Sequence, residues 1–430
     1  MPEERLFRGP APAVAPPAPP LDSRRWWILV IIGVAQLMVT LDTSIVNIAL
    51  PSAQADLGFS DGSRQWIITA YALAFASLLL LSGRLADLFG RKPALLIGAA
   101  GFATASILGG VSTSFGMLVA ARALQGVFAA LLAPAALSLL NTTFTDSRER
   151  AKAFGIFGAI GASGTVVGLL IGGALTQALD WRWTMFVNVL FSAVALFGGW
   201  KLLTNTRDAA NSRLDLPGTV LISAGLFAVV FGLSNAESQH WDSPLTWGFL
   251  LAGVLLVAAF AWWQTRAEHP LLPLRILTDR NRAASFATLL LTGAGLFGVL
   301  LFLTYYLQLD LGFSPITTGL AFLPMIVLMM GVAQFSTMKL VPRSVNAMQQ
   351  VGGSIGTALL NTLAAGAAAA FLVGKNPADP TARADAAIAS YTTAFWWAAG
   401  LFAAGAVLTA LLYRRKAVEP ATAEAAPSPS

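Results

Sequence analysis

The chain has 430 residues, of which 56% are hydrophobic and 11% charged, against about 25% charged in soluble domains. A soluble domain needs a charged surface, and here the 27 Lys and Arg and 21 Asp and Glu gather in short clusters between long apolar runs, so that class is excluded. With no cysteine, and with its two histidines (His240 and His269) in loops, the chain offers no disulfide, thiolate, metal cluster or catalytic triad. The net charge of +6 reads as orientation in a membrane rather than as nucleic-acid binding.

In chain order, residues 1–25 are Pro/Ala-rich, lack the apolar run of a signal peptide and read as a disordered tail. Twelve apolar stretches follow, at 26–50, 66–82, 93–112, 115–139, 152–175, 184–203, 217–234, 247–263, 284–307, 318–340, 347–374 and 391–413. Each is of a length to cross a hydrocarbon layer about 30 Å thick at about 1.5 Å per helical residue. Residues 414–430 read as a second tail. The expected fold is therefore an all-α polytopic membrane protein. With the N-terminus inside, 22 of the 27 Lys and Arg fall on the cytoplasmic side and four (Arg64, Arg182, Lys375 and Arg383) on the other, which places both termini in the cytoplasm. No connecting segment approaches the roughly 50 residues of an independent domain, and no GxxxxGK[ST] loop occurs, so ATP-driven transport is disfavoured.

The remaining basic residue, Arg122, lies inside the fourth stretch, and Asp42 lies inside the first. Ionisable groups at membrane depth cost roughly 2.5–3.5 kcal/mol on insertion scales and mark function by default. Counting helix rise from the outer surface puts Asp42 about 12 Å deep and Arg122 about 10 Å deep. Matched depths suggest a protonatable carboxylate with a positive neighbour; the alternative is a fixed ion pair that only neutralises two buried charges. Gln36, Asn47, Tyr71, Gln125 and Gln308, with Gln334, Asn346, Gln349 and Gln350, are polar residues of the spans that can line a cavity for an amphipathic cargo or bond between helices.

The fifth stretch carries Gly158, Gly161, Gly164, Gly168 and Gly172 within about a third of the helix circumference at about 100° per residue. This is a close-packing face or a sliding surface, not a phosphate loop. After the second stretch comes GRLADLFGRK, residues 83–92, expected as a loop in which glycines allow a tight turn and Asp87 caps a helix or pairs with Arg91.

These residues carry a resemblance. GRLADLFGRK resembles the loop signature of the major facilitator superfamily. LDTSIVNIALP (41–51), RALQGVFAA (122–130), the glycine helix and WRWTMFVN (181–188) are similar to motifs of its fourteen-helix drug:proton antiporter branch. The resemblance implies alternating access of two bundles, with protons entering as cargo leaves. It assigns proton coupling to Asp42 and Arg122, a gate loop to Gly83, Asp87, Gly90, Arg91 and Lys92, and the antiporter helix to Gly164, Gly168, Gly172 and Gly173. Leu169 stands where that motif usually has proline. Twelve stretches stand where the branch has fourteen, and the motif order places the deficit between about Arg343 and Ser344. The domains expected are a six-helix bundle (26–203), a central pair with its loops (204–283) and an incomplete four-helix bundle (284–413).

The function implied is proton-coupled efflux of hydrophobic or cationic small molecules from a bacterial inner membrane. Its partners are an amphipathic cargo, protons and the bilayer, with no nucleic acid, no metal and no cofactor beyond the proton gradient. An exporter of an endogenous metabolite and a non-transporting remnant or scaffold are the competing readings. An enzyme has least support, since no nucleophile–base set appears.

Overall fold

The computed structural model describes residues 23–205, 215–239, 241–268, 270–271, 280–336, 345–376 and 379–412. The two tails, both histidines and the Arg343–Ser344 junction lie outside the described residues, as do the side chains of Gln334, Asn346, Gln349 and Gln350. The described residues form twelve α-helices: α1 Ser23–Leu57, α2 Asp61–Phe89, α3 Arg91–Gly110, α4 Phe115–Thr143, α5 Ser147–Ala178, α6 Trp183–Leu202, α7 Leu216–Gln239, α8 Pro244–Gln264, α9 Arg280–Tyr305, α10 Pro315–Ser336, α11 Val345–Leu372 and α12 Pro380–Leu412. A π-helical turn, Tyr306–Asp310, ends α9.

Local chemistry explains where helices start. Pro244, Pro315 and Pro380 open α8, α10 and α12, where a missing N–H costs nothing and φ is already set. Ser114 caps α4 by accepting from the Met117 N–H, and Asp146 caps α5 by accepting from Arg148 and Glu149. The backbone N–H groups of Glu149 and Arg148 hold the Asp146 carboxyl below the ordinary carboxylate range.

Among the described residues ten helices are long and apolar enough to span a membrane, and an eleventh if the two limbs of α2, which meet at 55°, count as one. In α10 the apolar run found among the described residues is the shorter Pro315–Met325. Two expectations about boundaries are corrected. The first span was expected to stop at Leu50, before a proline, yet α1 continues through Pro51 to Leu57. The packing of Leu50 and Ala53 against Phe59, Trp181 and Met185 in one buried cluster offsets the proline's disruption. The segment 83–92 is not a loop. α2 runs to Phe89 and α3 starts at Arg91, so Gly90 alone, at φ +109°, turns the chain between them. Ala86 is buried on the core side of the last turns of α2, which extends the helix beyond the apolar run.

α1 packs on α5 and α6, α2 on α4, and α3 on α4 and α6; in the second half α9 packs on α11 and α12, and α11 on α12. α7 pairs with α8 and also lies against α2 and α11, while α10 makes its main contact with α5 of the first half. One core cluster, including Ile32, Phe75, Phe102, Leu132 and Phe144, is confined to the first six helices. A second joins Leu41, Ile45, Leu50 and Ile67 to Leu301, Phe302, Tyr305, Leu360 and Tyr391, so the halves meet in their outer parts.

The glycine ridge of α5 faces α1. A Cβ at Gly164 would strike the Thr40 hydroxyl, one at Gly168 would strike Ser44 and lie 2.8 Å from the Leu41 carbonyl oxygen, and one at Gly172 would lie 2.7 Å from Ile45. Gly173 alone of the four motif glycines faces the second half, at 2.6 Å from the Pro315 carbonyl oxygen. Gly158 meets nothing within 4 Å. Gly168→Ala should therefore lower stability by about 1–3 kcal/mol, as overpacking does, while Gly158→Ala should leave it unchanged or slightly raised. Thermal unfolding of the two variants in detergent checks the contrast.

Candidate functional site

The site lies where α1, α2, α3, α4 and α6 converge in the outer half of the first bundle. Asp42 is 0% and Arg122 2% exposed. One guanidinium nitrogen of Arg122 donates to Asp42 Oδ2 at 2.5 Å and to Gln125 Oε1 at 2.7 Å, and Arg122 Nε donates to the Ile67 carbonyl at 3.2 Å. The guanidinium also stands 4.5 Å from the centre of the Tyr71 ring. Asp42 Oδ1 accepts twice, from Asn188 Nδ2 at 2.7 Å and from Gln125 Nε2 at 3.1 Å. Gln125 Nε2 further donates to Ser106 Oγ at 2.8 Å.

An ion pair this deep holds only because its remaining bonding capacity is met. Three donors meet Asp42, which is acceptor-only when ionised. Arg122 has a carboxylate, an amide oxygen, a backbone carbonyl and an aromatic face. The bonds that meet in this network tie together α1, α2, α3, α4 and α6.

The other expected residues fall in separate places. Tyr71 lines a small cavity with Thr43, Ile68, Ala72, Phe75, Arg122 and Phe297, at the seam between the halves. Gln125 sits inside the ion-pair network. Asn47 donates to the Thr43 carbonyl on its own helix, and Gln36 is buried opposite Gly161. Gln308, in the π-turn, donates across the seam to the Ile48 carbonyl at 3.2 Å. In the 83–92 segment, Arg91 pairs with Asp87 at 3.6 Å, while Lys92 Nζ donates to the Trp200 and Leu203 carbonyls at 2.7 Å each, which fastens α3 to the end of α6. Gly83 is helical and close to Pro134 of α4. Among the described residues no group of three or more His, Asp or Glu could hold a metal ion.

Asn188 and Ser106 are the members that sequence reasoning did not single out. The signal was present: Asn188 lies five residues inside α6 and Ser106 four residues before the end of α3, which is about 6–8 Å from the outer ends by helix rise. That is close to the depth that pairs Asp42 with Arg122.

The description of the Major Facilitator Superfamily matches residues 32–376. The chain belongs to that family. Superfamily relatives include the puromycin resistance protein pur8 of Streptomyces alboniger, 43% identical over 466 aligned positions that cover 91% of this chain and 92% of the relative. The tetracenomycin C resistance and export protein of Streptomyces glaucescens is 39% identical, with 72% of this chain and 57% of the relative covered. The cephamycin export protein CmcT of Amycolatopsis lactamdurans is 40% identical, with 69% and 62% covered. This chain thus spans nearly the whole of the first relative and less than two thirds of the other two. Crystal structures of tetrameric PepTSo2 share the fold, with TM-scores of 0.54 and 0.53, 13% and 14% identity, and 90% of this chain and 98% of those covered. As a superfamily member with this many apolar helices, the chain is a multi-pass protein of a bacterial cell membrane.

Proposed function

We propose that this chain exports hydrophobic or cationic small molecules, antibiotics among them, in exchange for protons, by alternating access of α1–α6 against α9–α12. The observation that carries the reading is the buried Asp42–Arg122 pair on helices that also form the seam. Relatives described as resistance or export proteins support the cargo class. Asp42 is the group that takes up and releases the proton, Arg122 senses its charge, and Tyr71 and Phe297 offer aromatic surface to the cargo at the same cavity. The energy source is the proton gradient, with no cofactor and no enzymatic step.

The domain division at 26–203, 204–283 and 284–413 belongs to the same proposal, as does the absence of two helices between α10 and α11. The packing supports it: α9 packs on α11 and α12 as α1 packs on α5 and α6, and among the described residues α10 packs mainly on α5 of the first half, whereas α2 packs mainly on α4 of its own half. The alignment to the puromycin relative also supports it. It runs for 466 positions but uses 91% of 430 residues, about 391, so about 75 positions of the relative face no residue here. Those 75 positions suffice for two helices and their loops at the helix lengths seen here.

The test is accumulation of puromycin by everted membrane vesicles with an acid interior, alongside a panel of other cationic and neutral compounds. Uptake that a protonophore abolishes supports the reading. Uptake confined to one compound unrelated to antibiotics supports the metabolite exporter instead. Background uptake of every compound supports the remnant, which the missing pair favours.

A further inference from the structure

Three side chains hold Asp42, and they differ in what they do when it takes a proton. Arg122 carries only donors. Gln125 is fixed at both ends, its oxygen accepting from Arg122 and its nitrogen donating to Asp42 and Ser106. Asn188 is fixed at one end only. Its Nδ2 donates to Asp42 Oδ1, while its own Oδ1 is buried with no hydrogen-bond partner, and the residue is 0% exposed.

A carboxylate demands donors, so the amide presents its nitrogen to Asp42. A protonated carboxyl has one O–H that needs an acceptor. Oδ2 already faces the guanidinium, so the proton belongs on Oδ1, between Gln125 and Asn188. Of those two, only Asn188 can turn its amide without breaking another bond. A half-turn about its last torsion puts the amide oxygen where the nitrogen now lies, 2.7 Å from Asp42 Oδ1, which is the ordinary separation of an O–H···O bond, about 2.7–2.8 Å. The turn exchanges one unpartnered polar atom for another, so its net cost is small compared with leaving the new O–H buried and unmet.

We propose that Asn188 is the proton-state partner of Asp42, donating to the carboxylate and turning its amide to accept from the protonated carboxyl. It is a positioning residue, and its role rests on the reading of Asp42 as the coupling group. The charged and titratable groups around Asp42 are Arg122 from α4 and the Tyr71 phenol from α2. Among the described residues, α3, α5, α6 and α9 bring no acidic or basic side chain into bonding contact with it. A proton can therefore be answered at this site by Asn188, with no second titrating carboxyl to share it.

The test compares wild type, Asn188→Leu and Asn188→Ser with Asp42→Asn in everted vesicles, with puromycin as the probe and the interior and exterior pH varied. Leucine keeps the γ-branched shape of asparagine, at a larger volume, but neither donates nor accepts; serine keeps a group that does both and leaves space for a water. The expected result is a displacement of the pH midpoint of efflux by about one unit, a tenfold change in proton concentration, in Asn188→Leu, with the wild-type midpoint largely recovered in Asn188→Ser. Infrared difference spectra of purified protein between low and high pH should show a side-chain amide carbonyl band in wild type that Asn188→Leu lacks. A lower maximal rate with an unmoved midpoint and an unchanged amide band would overturn the inference and leave Asn188 as packing. Should Asn188→Leu fail to insert, the wild-type and Asn188→Ser infrared spectra decide alone. Loss of gradient-driven efflux in Asp42→Asn beside an unmoved Asn188→Leu sinks only this inference; wild-type behaviour of Asp42→Asn sinks the coupling reading beneath it.

Discussion

Asp42→Asn should bring gradient-driven efflux to background while the protein still inserts. The substitution keeps the shape and one acceptor oxygen but removes the titrating group, so no proton can be carried against cargo. Arg122 then stays buried without its counter-charge, retaining Gln125 Oε1, the Ile67 carbonyl and the Tyr71 ring. Removing one partner of a buried pair costs about 3–5 kcal/mol, and the surviving contacts place Asp42→Asn at the low end of that range. Arg122→Leu should cost more, because it strips the carboxylate of its ion-pair partner and leaves Gln125 Oε1 buried without its donor. Thermal unfolding in detergent gives the stability order, wild type above Asp42→Asn above Arg122→Leu. Efflux should be at background in both variants.

A cross-link across the outer seam should stop transport, and reversing it should restore transport. Gln65 of α2 and Asn361 of α11 are bonded side chain to side chain, the Arg64 guanidinium lies 3.7 Å from the centre of the Tyr305 ring, and Gln308 reaches the Ile48 carbonyl. These contacts hold the halves together at the end that the Lys/Arg distribution assigns to the outside, so under the proposed alternating access they close that side. Release of cargo outward requires them to part. The chain has no cysteine, so Gln65→Cys with Asn361→Cys introduces the only two thiols. A short reducible bifunctional thiosulfonate should join them and reduce puromycin efflux to background, with recovery on reduction; either single variant should be unaffected by the reagent. Continued efflux in the cross-linked double variant would mean that this seam does not open.

Much of this arrangement is legible in the residues. Twelve helices follow from apolar run length, and the pairing of Asp42 with Arg122 follows from depth alone, because charge inside a membrane has few places to go. What sequence reasoning missed has physical reasons. Helix ends overrun the apolar runs, as at Pro51 and in 83–89, because helices continue past the hydrocarbon edge wherever packing persists. The glycine face of α5 is periodic, yet periodicity cannot say which neighbour it meets; the structure turns it to α1, beside Asp42, and leaves only Gly173 on the second half. Asn188, the last residue of the 181–188 motif, and Ser106 carry no charge to mark them among the many polar residues of the spans. Their importance comes from the carboxylate they converge on, which only the fold reveals. Among the described residues of the second half, α10 leans on α5 of the first, a contact that motif order gives no means to foresee.

The central proposal is that a proton taken up at Asp42 is exchanged for cargo. In everted vesicles with an acid interior reported by a quenched dye, adding puromycin to the outside should dequench the dye, as protons leave the lumen in exchange for cargo entering it. Wild type should give this signal and Asp42→Asn should give none. A signal of wild-type size in Asp42→Asn, or puromycin accumulation by wild type with no proton movement, would contradict the account.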